Sequence, residues 1–110
     1  FDKRGNLYVT SSHVFGTSPP QGAIWRIPPG GEAEPWLVDE FFLGGLGLIP
    51  DYPPIGANGI SFRHNGLYVA NTEKGLIAHV PILPDGSPGE PALVVQDEEL
   101  LHMYLLRVVL

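Results

Sequence analysis

The sequence contains no cysteine. Disulfides, thiolate metal sites and a cysteine nucleophile are thereby excluded, while the compartment stays open between cytoplasmic and secreted or periplasmic. Basic residues are scarce: six Lys and Arg stand against twelve Asp and Glu, a net charge of −6. A track for nucleic-acid phosphates needs the opposite balance, as does an anionic membrane surface, so neither partner is expected. Hydrophobic runs are short too, and none approaches the roughly twenty residues of a transmembrane helix.

What the sequence has in abundance is turn-forming residues, 14 Gly and 12 Pro among 110 residues. That composition favours many tight reversals and short strands over long helices. Hydrophobic residues make up 44% of the chain, enough for a core, and the length allows one small domain at most.

One block occurs twice. Phe1-Asp2-Lys3-Arg4-Gly5-Asn6-Leu7-Tyr8-Val9-Thr10 aligns with Phe62-Arg63-His64-Asn65-Gly66-Leu67-Tyr68-Val69-Ala70 after a one-residue gap. Further on, Gly22-Ala23-Ile24-Trp25-Arg26-Ile27-Pro28 aligns with Gly75-Leu76-Ile77-Ala78-His79-Val80-Pro81. Each copy ends in a short apolar run, Pro35-Trp36-Leu37-Val38 or Pro91-Ala92-Leu93-Val94-Val95. The runs are rich in β-branched and aromatic residues and are split by Asn-Gly, Pro-Pro-Gly-Gly and Asp-Gly-Ser-Pro-Gly turns. A repeat of this size, built from short strands, is how the blades of a β-propeller appear in sequence. The expected fold is therefore all-β, a partial β-propeller of about one and a half to two four-stranded antiparallel blades.

Only the second copy has an upstream strand, Asn58-Gly59-Ile60-Ser61-Phe62. Residues 1–38 are expected to form an incomplete blade without its innermost strand, 39–56 an inter-blade loop and 57–95 a complete blade. Residues 96–110 form a tail outside the pattern. On this reading the chain is a piece of a larger ring. The first hairpin is lengthened by Ser11 to Gln21, a Ser-, Pro- and Gly-rich stretch that reads as a solvent loop. The 39–56 loop is apolar around Phe41-Phe42-Leu43 and shows neither period-2 alternation nor a helix-cap pattern; so long a connection can be a lid or binding loop, but burial of both Phe under a neighbouring blade is the expected role. In the tail, Leu101, Leu105 and Val109 share a helical face while Val108-Val109-Leu110 suits a strand, and periodicity does not choose between them.

Chemistry-bearing motifs are sparse. His13, His64, His79 and His102 lack the spacing of a zinc site and are expected in core or surface roles. Gly44-Gly45-Leu46-Gly47 is not followed by a helix, so it is no dinucleotide loop. Ser11-Ser12-His13 has no third partner for a triad. Asn6, Asn58, Asn65 and Asn71 all lack a glycosylation sequon. Glu73, in Asn71-Thr72-Glu73-Lys74, reads as a solvated residue at a hairpin tip.

The stretches Gly56-Ala57-Asn58-Gly59-Ile60-Ser61-Phe62, Gly66-Leu67-Tyr68-Val69-Ala70-Asn71-Thr72, Gly75-Leu76-Ile77-Ala78-His79-Val80-Pro81-Ile82 and Asp85-Gly86-Ser87-Pro88-Gly89 resemble one family. It is the senescence marker protein, gluconolactonase and luciferin-regenerating-enzyme family, with strictosidine-synthase-like relatives. The resemblance covers about residues 1 to 98 and implies a calcium-dependent six-bladed propeller. In that family a divalent cation at the mouth of the central tunnel is held by carboxylates and Asn side chains from the starts of innermost strands. Asn58 matches the Asn of the family's Asn-Gly-Leu or Asn-Gly-Ile motif, one of those ligands; a hard cation takes an amide oxygen readily. The bland alternative is that Asn58-Gly59 is only a turn before a strand. The family's other ligands, a Glu and further Asn and Asp residues, have no matching position here.

For the parent protein the resemblance implies a metal-dependent hydrolase in which the cation polarises a lactone carbonyl and helps to generate hydroxide. The alternatives are a non-catalytic propeller that binds a ligand or partner, and a truncated chain without activity of its own. Because blades are stabilised by their neighbours, exposed faces and strand edges imply self-association.

Overall fold

The computed structural model describes residues 1–12, 22–44 and 55–97. These form two antiparallel sheets, neither closed into a barrel, so the all-β, partial-propeller expectation holds. The first sheet has the order β1 (Leu7–Ser11), β2 (Gly22–Ile27) and β3 (Glu34–Asp39). The second runs β4 (Ala57–Arg63), β5 (Gly66–Asn71), β6 (Leu76–Pro81) and β7 (Ala92–Gln96), each strand paired with the next in sequence. No helix among the described residues is long and apolar enough to cross a membrane. Residues 13–21, 45–54 and 98–110, with the expected solvent loop, most of the inter-blade loop and most of the tail, lie outside the described residues.

The repeat is structural as well as textual. In the first sheet Leu7 pairs with Ile27, Tyr8 with Arg26 and Val9 with Trp25. In the second, Leu67 pairs with Val80, Tyr68 with His79 and Val69 with Ala78. Aligned residues therefore occupy identical register positions. The hairpin before β5 differs from the Asn-Gly turn that the sequence suggests. Its two loop residues are His64 and Asn65, at φ 52° and 57°, a pair of left-handed conformers that suits a two-residue hairpin. Gly66 already belongs to the strand, paired with Pro81, and the His79 side chain across the sheet covers the place where a Cβ would stand.

The core lies between the sheets. Tyr8, Ile24 and Trp36 of the first meet Leu67, Val69 and Val80 of the second, with Phe42 and Ala57 completing the cluster. The Tyr8 and Trp36 rings pack edge to face at 5.1 Å, a geometry that aromatic quadrupoles favour. Of the two Phe expected to be buried, Phe42 is fully so and Phe41 is half-buried against the core; burial such as that of Phe42 is worth about 1.5–3 kcal/mol. The segment also has a cap that its pattern did not announce. The Asp39 carboxylate accepts from Phe41 N at 2.8 Å and starts a single 3-10 turn, Glu40–Phe42.

After that turn the backbone passes through a gap with no room for side chains. A Cβ on Gly22 would overlap the Phe42 carbonyl, and one on Gly56 would overlap both Gly44 N and the same carbonyl. The opposing atoms are main chain and cannot swing aside. Gly22→Ala is therefore expected to destabilise the fold by about 2–3 kcal/mol, the upper range for overpacking. Urea unfolding followed by far-ultraviolet circular dichroism measures the loss.

Candidate functional site

Asn58 stands at the beginning of β4 on an irregularity. Ala57 pairs with Asn71 and Gly59 with Ala70, so Asn58 is the extra residue of a bulge. Bulges redirect a side chain out of the strand's regular alternation, and Asn58 is exposed. The chain entering the bulge is pinned by Ser12, whose hydroxyl accepts from Gly56 N at 2.9 Å and donates to Ala57 O at 3.4 Å. Thr72 N and Glu73 N donate to Gly56 O and Ile55 O, both at 3.1 Å. Asn58 is thus carried at one end of the sheet by a segment anchored to both sheets.

Asn71 lies behind it, wholly buried, and holds the inter-sheet connection. Its amide nitrogen donates to Phe41 O at 2.7 Å and to Leu43 O at 2.9 Å, while its amide oxygen accepts from Lys74 N at 3.1 Å. Lys74 Nζ donates to Glu40 O. Sequence reading gave Asn71 no role, although a signal was present. Leu67, Val69 and Asn71 alternate onto the same buried face, and a polar residue there must find partners inside the protein. The expectation of a solvated Glu73 is overturned: it is only 2% exposed. The Thr72–Lys74 turn folds down on the Ile55–Gly56 backbone instead of projecting into water.

The opposite end of the molecule holds a second polar group. A cleft of about 220 Å³ there is lined by Asp2, Lys3, Arg4, Asn65, Leu83 and Pro84 among others. The first sheet clamps the 83–88 turn of the second through carbonyls: Arg4 donates to Pro84 O at 2.7 Å, and Gly86 O accepts from both Arg26 (3.0 Å) and Trp36 Nε1 (2.9 Å). Arg26 also pairs with Glu34 at 2.7 Å. Asp2 accepts from Arg4 N, Asn6 N, Asn6 Nδ2 and Tyr8 OH, all at 2.8–2.9 Å. Burial alone would raise its pKa, but these hydrogen bonds, led by Asn6, outweigh it and hold the carboxyl below its ordinary value. Tyr8 is pushed up to about 12 by burial, by its bond to Asp2 and by that residue's charge.

Of the histidines, His64 sits in an exposed turn and His79 packs its ring on Tyr68 at 4.6 Å; His13 and His102 lie outside the described residues. Among the described residues no group of three or more His, Cys, Asp or Glu converges as a metal cluster.

Two outcomes follow. Asn71→Ala strands two carbonyls in the inter-sheet gap and is expected to cost about 2–4 kcal/mol by chemical denaturation, given about 1–3 kcal/mol per unsatisfied buried group. Asp2, whose folded pKa is depressed, contributes stability that is present above pH 4 or so and lost as pH falls through its folded value. The thermal midpoint of the wild type should drop more steeply on acidification than that of Asp2→Asn, and scanning calorimetry between pH 6 and pH 2, bracketing about pH 4, measures the difference. In comparisons with known proteins, no family model and no curated protein matches this chain.

Proposed function

We propose that the chain forms part of a gluconolactonase-like propeller, of the senescence marker protein type, whose complete ring is a metal-dependent hydrolase of a lactone or similar small molecule. The observation that carries this reading is the bulge at Asn58. It places Asn58, an exposed residue, at the start of a first strand, where the resemblance puts a ligand of the cation. Calcium is the cation of choice for a neutral oxygen donor of this kind. Asn58 supplies one donor only, and the other oxygens come from blades beyond this chain's own residues. No catalytic residue is assigned. The rival, a propeller that binds a ligand or partner without chemistry, has the same fold and differs in its independence of metal.

Taken alone, the chain is expected to hydrolyse lactones no faster than background and to bind calcium more weakly than micromolar. Isothermal calorimetry with calcium chloride is the direct measurement; micromolar binding abolished by Asn58→Ala would mean that this chain holds a complete site. In a ring that supplies the remaining donors, Asn58→Ala should weaken calcium binding by at least the roughly tenfold that even an outer partner contributes. Lactone hydrolysis should fall with it. Ligand or partner binding unaffected by chelation would favour the rival.

A further inference from the structure

The two sheets do not meet through equivalent faces. The first contributes Tyr8, Ile24 and Trp36 to the core, whereas the second contributes Leu67, Val69 and Val80. By the repeat, Tyr8 aligns with Tyr68 and Ile24 with Ile77, while Leu67, Val69 and Val80 align with Leu7, Val9 and Ile27. One face of a repeat unit thus docks on the opposite face of the next unit, a head-to-tail contact within a single chain. Among the described residues each sheet keeps its other face out of that contact. On the second sheet that face carries Tyr68, Ile77, His79 and Val95, joined by the pairings Tyr68–His79 and Ile77–Val95. On the first it carries Leu7, Val9, Trp25 and Ile27. Among the described residues, none of these eight belongs to the core cluster or packs against it. Val9 is 42% and Val95 41% exposed.

We infer that these two faces dock on each other between copies of this chain, reproducing the internal contact head to tail. The occupant of each face is a second copy, because the internal interface already shows that a surface with the first pattern seats on a surface with the second, in the same register. The repeats differ in size at two positions on these faces. Where the internal interface has Trp36, the free face of the second sheet has Ala92. Where it has Ala78, the free face of the first sheet has Trp25. The Arg26 and Trp36 clamp on Gly86 has no counterpart, since His79 and Ala92 align with those two residues, so the contact between copies is weaker than the one within the chain. A heterologous contact is not self-limiting at two copies: it closes into a ring or continues as a filament.

The experiment uses sedimentation velocity on the chain and on two variants, one per face. Val9→Glu spoils the free face of the first sheet and Val95→Glu that of the second. Both positions are exposed, and circular dichroism verifies that each variant retains its strands. The wild type should form concentration-dependent species larger than a dimer, as a discrete ring or an open series. Each variant alone should sediment as a monomer. Mixed one to one, they should form a heterodimer, since each keeps the face that the other has lost. A wild type that stays monomeric at all concentrations overturns the inference. So does a wild type that stops at a twofold dimer, or a pair of variants that remain monomeric when mixed. If either variant is unfolded, Val9→Lys and Val95→Lys replace it, with the same outcomes.

Discussion

The fold depends on how closely main chain can approach main chain where the two sheets are joined. Gly22, Gly44 and Gly56 leave a gap into which the Phe42 carbonyl fits with no Cβ in the way. Asn71 then fastens the flanking carbonyls of Phe41 and Leu43 from inside the second sheet. Backbone polar groups that are denied water need partners of this kind, and one amide serves two of them. With the connection fixed, Phe42 enters the core beside Ile24 and Trp36 and the sheets lie face to face. The apolar side chains supply the driving force, but the glycines and the asparagine set the distance over which it acts.

At its far end the interface is held by a different device. Charged and aromatic donors of the first sheet and of the turn before it reach the carbonyls of the 83–88 turn. The interface is thus pinned by main-chain acceptors at both ends and filled with apolar side chains between. The end that carries Asn58 is built for close backbone contact, and the other is built from long side chains around a cleft. The exposed Asn58 at the first end stands on a bulge, so its direction is independent of the strand's pleat.

Strand positions and their order could be read from the sequence because β structure in this chain is local. Leu7-Tyr8-Val9 and Leu67-Tyr68-Val69 sit between strong turn residues, and every pairing is to the next strand along the chain. The head-to-tail stacking was not legible, since both faces of each strand are largely apolar and alternation does not tell which one is covered. Glu73 was misread because a Thr-Glu-Lys-Gly turn has the composition of a solvated tip, whereas its backbone is hydrogen-bonded to that of Ile55 and Gly56 and the residue is buried. Asn58 was singled out through resemblance alone, and the bulge on which it stands is a matter of register that no residue type declares. The 3-10 turn at Glu40–Phe42 was missed for a related reason: a lone Asp before two Phe is a weak signal for a cap of one turn.

The two tryptophans lie on neighbouring strands but on opposite faces of the first sheet. Trp36 is enclosed between the sheets with its indole N–H bound to Gly86 O, whereas Trp25 is only half-buried and points away from the core cluster. The chain therefore carries two intrinsic optical reporters that see different events. Emission from Trp36 follows the separation of one sheet from the other, and emission from Trp25 follows whatever comes to rest on the outside. With either tryptophan replaced by phenylalanine, opening of the molecule and its encounters can be recorded separately, in one cuvette, without a dye.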